Sequence, residues 1–173
     1  MLHRVLLILC VVSYFVACAS QPLAEPQWSF EKDAIRINLK ADSRLNFDDG
    51  LPHKLVLCIY QLNDTSGINQ LSDDTQGIDT LLGCTLFDES VATAKRLIVH
   101  PGQDMNVRLD RAEGAKYLAM AAGYYVLRKD RMIRLYEIPV VAEKKSFFKR
   151  TKLTKPGVLD IELQLGPSQI HKK

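Results

Sequence analysis

The chain has 173 residues, 47% of them hydrophobic and 25% charged, with a formal net charge of +3. That describes one ordinary globular domain with a sizeable core, and excludes a collagen, a coiled-coil rod or a wholly disordered chain. A charge so near zero excludes nucleic-acid binding by bulk electrostatics, and four cysteines are too few for a disulfide scaffold.

In chain order, His3 and Arg4 come first, followed by an apolar run from Val5 to Ala17 whose only frankly polar member is Ser13. A short charged region and such a run are the anatomy of a secretory signal peptide, here residues 1–17. The run is too short to cross a hydrocarbon core, which needs roughly 20 residues. A buried N-terminal helix is the alternative, but it would lack a polar face and an N-cap. The run ends in Phe15-Val16-Ala17-Cys18. Small residues just before a cysteine resemble the lipobox of bacterial lipoproteins, in which the cysteine is acylated and becomes the new N-terminus. Phe15 stands where that motif usually has leucine. Ala19 stands where an aspartate tends to retain such proteins at the inner membrane. A plain cleaved signal with an incidental Cys18 is the competing reading. Acyl chains bring about 0.8 kcal/mol per buried CH₂, enough to tether a domain to a bilayer. Residues 18–27, with Pro22 and Pro26, then read as a lipidated tether.

The remainder reads mostly as strands. Ile35, Ile37, Leu39 and Ala41 alternate with Arg36, Asn38 and Lys40, the period of a half-buried strand, and Trp28 and Phe30 extend it backwards. Leu55 to Leu62 is nearly continuous apolar sequence, as a central strand would be. Leu97-Ile98-Val99 stops at the turn His100-Pro101-Gly102. Met105, Val107 and Leu109 alternate with Asn106 and Arg108. Tyr117 to Leu127 is a second central run, with Gly123 marking a bulge or close approach. Arg128 to Arg131 is a polar turn from which Met132 to Val141 returns. Leu159, Ile161, Leu163 and Leu165 alternate with Asp160, Glu162 and Gln164. Seven strands of this kind predict an all-β, two-sheet β-sandwich over residues 28–166, with 167–173 as a C-terminal tail. Residues 63–88 break the pattern. Ile68, Leu71, Ile78, Leu81 and Leu82 fall at helical spacing, and Ser72 or Asp73 offers a cap, so one or two short helices are expected between the second and third strands.

Cys10 leaves with the signal and Cys18 with the lipid, so Cys58 and Cys84 remain. They are either a disulfide, worth about 3–4 kcal/mol in the chain-entropy model, or two separately buried thiols. His3, His53, His100 and His171 make no i,i+4 pair, and no metal-binding or nucleophile motif occurs. Asp48-Asp49 and Asp73-Asp74 lack the rest of a calcium loop. No metal, cofactor or catalytic activity is expected.

Two segments stand out as surface. The turn-rich stretch from Ser43 to Pro52 carries Leu45, Phe47 and Leu51, and apolar residues on a loop suggest contact with a partner. The bland reading folds them onto the sandwich edge. Lys144, Lys145, Lys149, Arg150, Lys152 and Lys155 surround Phe147-Phe148, which suits an anionic surface or is simply a solvated loop.

Together these features resemble the outer-membrane lipoprotein of type VI secretion systems, the TssJ family. The resemblance rests on the order and spacing of several elements. They are Trp28, Leu45-Asn46, Gly50-Leu51-Pro52, Leu57 to Leu62, Leu81-Leu82, Pro101-Gly102 and Ala121 to Tyr125. It implies a transthyretin-like sandwich, lipid-anchored in the outer membrane and facing the periplasm. It also implies a structural role, holding the periplasmic C-terminal region of a TssM-type inner-membrane protein, with no nucleic acid involved. Carried over, the family's main contact loop becomes Leu45, Asn46, Phe47, Asp48, Asp49, Gly50 and Leu51. Competing readings are another periplasmic lipoprotein adaptor such as a pilotin, or a sandwich that binds a ligand or anionic lipid.

Overall fold

Strand β1 (Glu31–Ala41) buries Ile35, Ile37 and Leu39 and exposes Arg36, Asn38 and Lys40, the alternation that one wet sheet face imposes. The computed structural model describes residues 25–142 and 154–171. The signal stretch 1–17, Cys18 and the basic residues Lys144, Lys145, Lys149, Arg150 and Lys152 lie outside the described residues; Lys155 lies within them.

The other strands are β2 (Leu55–Leu62), β3 (Val91–Val99), β4 (Asp104–Arg111), β5 (Tyr117–Ala122), β6 (Ile133–Glu137), β7 (Val140–Ala142), β8 (Thr154–Pro156), β9 (Leu159–Leu165) and β10 (Ile170–His171). One sheet has the order β10-β9-β1-β4, with Ile35 opposite Leu109 of antiparallel β4 and opposite Leu159 of parallel β9. The second has the order β3-β2-β5-β6, all antiparallel. β7 and β8 form a separate two-stranded ribbon. The chain is thus a β-sandwich, its core lying between Ile35, Ile37 and Leu39 on one side and Leu57, Ile59, Leu118 and Met120 on the other.

β2 does not alternate because it is covered twice. Leu55, Leu57 and Ile59 join the inter-sheet core, while Cys58, Tyr60 and Leu62 join a second cluster with Ile68 and Leu81. The latter two come from helices α1 (Ser66–Leu71) and α2 (Thr75–Leu82), the helical insertion laid over the outer face of the sheet. The cap of α2 is Asp74, not Ser72 or Asp73. Its carboxylate accepts from the Gly77 N–H at 2.7 Å. Ser72 is instead buried and donates its hydroxyl to the Asn69 carbonyl. Cys58 and Cys84 are joined, with Cα atoms 5.1 Å apart, tying the exit of α2 to the middle of β2.

Other boundaries differ from the sequence expectation. β5 stops at Ala122: Gly123 N–H makes one last in-register bond, to the Val56 carbonyl at 2.8 Å, and Tyr124 N–H then turns back to the Ala122 carbonyl at 2.9 Å. The expected polar turn is a single helical turn, α3 (Lys129–Met132). The return strand splits into β6 and β7 at Ile138-Pro139, where proline has no N–H to continue a ladder. β3 begins at Val91 rather than Leu97. The 167–173 tail is corrected in part, because Ile170 is fully buried and pairs with Leu165.

β1 separates two ends of the molecule by about 36 Å, the rise of an eleven-residue strand. At the lead end sit residues 25–30, the start of β9 and the β7–β8 ribbon. At the loop end sit the connection from β1 to β2, the turn after β3, the segment after β5 and the β9–β10 turn.

Candidate functional site

The loop between β1 and β2 is tied to the sandwich along its length. Asp42 N–H donates to the Leu165 carbonyl, and the Asp42 carbonyl accepts from Leu45 and Gly102 N–H groups. Phe47 N–H donates to the Pro167 carbonyl at 2.8 Å, and His53 N–H donates to the Leu45 carbonyl. Asp48 and Leu51 exchange both backbone hydrogen bonds, at 3.0 and 2.9 Å, closing a tight turn. That turn needs left-handed backbone at Asp49 (φ 46°) and Gly50 (φ +77°), conformations that aspartate tolerates and glycine prefers. These residues therefore stand out from the body on a defined frame.

The frame divides the seven residues expected at the interface. Leu45 is wholly buried and belongs to the core. Asn46 is buried too, with φ 48°, and its side chain is occupied. Its Oδ1 accepts from the Tyr125 N–H at 3.0 Å and its Nδ2 donates to the Lys54 carbonyl. Leu45 and Asn46 are thus corrected from surface contacts to supports, because the loop closes its own backbone only by placing them inward. Phe47 (43% exposed) and Leu51 (62% exposed) point to solvent, flanked by the carboxylates of Asp48 and Asp49.

The support leads to residues that sequence reasoning missed. Asn46 fixes the segment leaving β5, where Tyr125 and Val126 are more than half exposed. The Tyr125 ring meets His53 edge-on, with centroids 5.1 Å apart. Phe47, Leu51, Tyr125 and Val126 make one end of the molecule rich in exposed apolar side chains beside an acidic turn. The signal that could have found the last two is Tyr124-Tyr125-Val126 after Gly123, which reads equally well as more strand.

Among the described residues no group of three or more His, Cys, Asp and Glu is placed to hold a metal ion. A cleft of about 360 Å³ does lie between α1, α3 and β6, lined by Ile68, Ser72, Ile133, Leu135, Lys129 and Arg134. Its cations are already engaged. Lys129 pairs with Asp73 at 2.7 Å, and the Arg134 guanidinium donates to the Asp130, Ile133 and Ile170 carbonyls. Burial and the Arg134 charge act oppositely on Tyr124; burial dominates and raises its pKa. No helix among the described residues is long and apolar enough to cross a membrane.

A sequence model of the type VI secretion lipoprotein family (VasD, EvfM, TssJ) matches residues 33–163. No curated protein matches the chain. Among solved structures, the fold is similar to the type VI secretion lipoprotein TssJ1 from Pseudomonas aeruginosa, at 17% identity and a TM-score of 0.60, covering 84% of this chain and 95% of that one. It is also similar to Serratia marcescens Lip, described as a membrane-bound component of the type VI secretion system, at 16% identity and a TM-score of 0.59, covering 83% and 96%. A third similar chain comes from a structure described as the TssM C-terminal domain from EAEC, at 18% identity and a TM-score of 0.56, covering 79% and 94%. At these identities the structural likenesses bear on the fold alone.

Proposed function

Because this chain belongs to the type VI secretion lipoprotein family, a family of structural lipoproteins and not of enzymes, we propose that it is the outer-membrane tether of the secretion apparatus. Membership of that family makes the chain a component of the type VI secretion envelope complex. Residues 1–17 direct export, acylated Cys18 anchors the chain in the outer membrane facing the periplasm, and the loop end grips the periplasmic C-terminal domain of a TssM-type inner-membrane protein.

The observation that carries the reading is the exposure of Phe47 and Leu51 on a backbone fixed by hydrogen bonds at both sides. Binding surfaces draw most of their energy from a few well-placed apolar anchors, and a preordered loop loses little entropy when it docks. Tyr125 and Val126 enlarge the same surface. Asp48 and Asp49 beside it favour a partner patch with an apolar centre and a basic rim. The strands that flank the basic residues in sequence, β7 and β8, pair at the opposite end, and a basic stretch suits contact with an anionic membrane surface.

The test is a titration of residues 19–173 against the periplasmic C-terminal domain of a TssM-type protein from the same genome. Saturable binding, lost on deleting Asp48 to Leu51 in a chain that melts as the parent does, is the expected result. Equal binding by the deleted chain removes the loop from the interface.

A further inference from the structure

Exposed large hydrophobic side chains are concentrated at both ends of the sandwich, and the loop-end group does not account for the other. At the lead end Phe30, Val140, Val141 and Val158 all face solvent. Phe30 is 60% exposed, although it lies next to Ser29, whose carbonyl is held by the buried Arg111 guanidinium at 2.9 Å. Val140 and Val141 belong to β7, and Val158 to the two-residue link between β8 and β9. Gly157 N–H donates to the Pro139 carbonyl and Ile138 N–H to the Lys116 carbonyl, which fixes the ribbon beside the entry to β1. The outward face of β1, with Arg36, Asn38 and Lys40, is polar by contrast, while Leu86, Ile98 and Leu135 are exposed singly elsewhere.

We propose that this lead end is a bilayer-contact face, with Phe30 and the outer edge of the β7–β8 ribbon seated in the interfacial region of the leaflet that carries the acyl chains. The occupant follows from the length of chain outside the described residues. Only residues 19–24 separate Cys18 from Glu25, a span of at most about 25 Å when fully drawn out. The backbone from Trp28 onward is not free to lengthen that reach. The Trp28 carbonyl accepts from Gly114 N–H at 2.7 Å, Ser29 is held by Arg111, and Arg111 pairs with Glu31 at 3.1 Å. A domain on so short a lead, with apolar side chains at the end where the lead attaches, lowers its free energy by burying them in the interface. The face turned to the membrane is then the one farthest from Phe47 and Leu51, which aims the loop end into the periplasm. This inference rests on the acyl-anchor reading of Cys18 and extends it to the protein surface.

Trp28 is the only tryptophan in the chain and lies at this end, so the full acylated chain carries its own probe. It is reconstituted into vesicles of phosphatidylethanolamine and phosphatidylglycerol whose acyl chains are brominated near the headgroups, and Trp28 emission is read alongside vesicle flotation. The expected result is quenching of Trp28, lost in the Phe30→Asp/Val141→Asp double variant while flotation is retained, and unaffected by Leu86→Asp at neither end. Matching melting curves for the three chains establish that each is folded. A chain that floats without quenching, or quenching that survives the double variant, overturns the contact face. A chain that does not float overturns the acyl anchor itself, and the contact face falls with it.

Discussion

At the loop end, left-handed backbone at Asn46, Asp49 and Gly50 turns the chain outward, and a buried amide, Asn46, holds two segments together. At the lead end a buried guanidinium, Arg111, holds the incoming backbone through Ser29 and Glu31, and a left-handed residue, Asp33, marks the register shift with which β1 enters the sheet. The first arrangement presents a shaped, rigid protrusion; the second fixes where and in which direction the chain enters. A protrusion suits recognition of one partner, whereas a fixed entry suits orientation against a featureless surface. β1 joins the two directly. Because a strand is already close to full extension, tension along it gains only a few tenths of an ångström per residue. Pull between tether and partner therefore does little work toward unfolding the domain.

The sharpest way to break this comparison lies within the loop itself. Leu45→Ala removes a wholly buried side chain, and a loss of about 2–5 kcal/mol of stability is expected in denaturant unfolding. Phe47→Ala two residues away should leave stability within about 0.5 kcal/mol of the parent while weakening partner binding by about 2 kcal/mol or more. If the two variants behaved alike, the division into supports and contacts would be wrong.

The disulfide belongs to neither end. Converting Cys58 and Cys84 together to serine should cost about 3–4 kcal/mol, from a 26-residue loop closure. The loss should fall on the helical insertion first, seen as early hydrogen exchange in α1 and α2, with the loop end retaining its partner affinity.

The next effect separates the two supports. Arg111→Ala leaves the Ser29 carbonyl and Glu31 without their partner and should cost about 1–3 kcal/mol. Its signature is a shift in Trp28 emission. Asn46→Ala should cost about 1–2 kcal/mol, from two lost hydrogen bonds and a left-handed backbone position. Its signature is weaker partner binding with unchanged Trp28 emission. Exchanged signatures would mean that the ends are coupled.

The last effect is one of pH. Burial raises the Tyr60 pKa to about 12, partly offset by a backbone hydrogen bond at Cys84, while the hydroxyl donates to the Leu81 carbonyl at 2.5 Å. The folded state therefore favours the neutral phenol. Its contribution is intact below the unfolded value near 10 and declines between about pH 10 and 12, at up to about 1.4 kcal/mol per pH unit. Tyr60→Phe should flatten that decline in alkaline melting curves, and an unchanged slope would remove Tyr60 as its source.

What the sequence made legible followed from exposure to water. β1 and β9 each have one wet face, so alternation marked β9 at both ends and the end of β1, while the reading back to Trp28 overshot the start of β1 at Glu31. β2 was legible from its unbroken apolar run and the insertion from helical spacing in 63–88; that one covers the other emerged only from the packing of Ile68 and Leu81 with Cys58, Tyr60 and Leu62. β5 was read too long, since Tyr124 to Leu127 is as apolar as the strand before it and only Gly123 signals departure. The first six residues of β3 were hidden because Thr93, Lys95 and Arg96 line an edge strand with little to bury. At the site, composition pointed to the loop from Ser43 to Pro52, but which apolar residue faced inward depended on hydrogen bonds to Leu165, Pro167 and Tyr125, all distant in sequence. The same distance concealed Tyr125 and Val126.

The central claim is that partner and membrane are met at opposite ends of β1. Its most direct test places a photo-crosslinking phenylalanine analogue singly at Phe47, Tyr125 or Phe30 of the acylated chain, mixed with the TssM-type periplasmic domain on vesicles. The account predicts crosslinks to that domain from positions 47 and 125, and to lipid from position 30. Crosslinks to the domain from position 30, with none from 47, would contradict it.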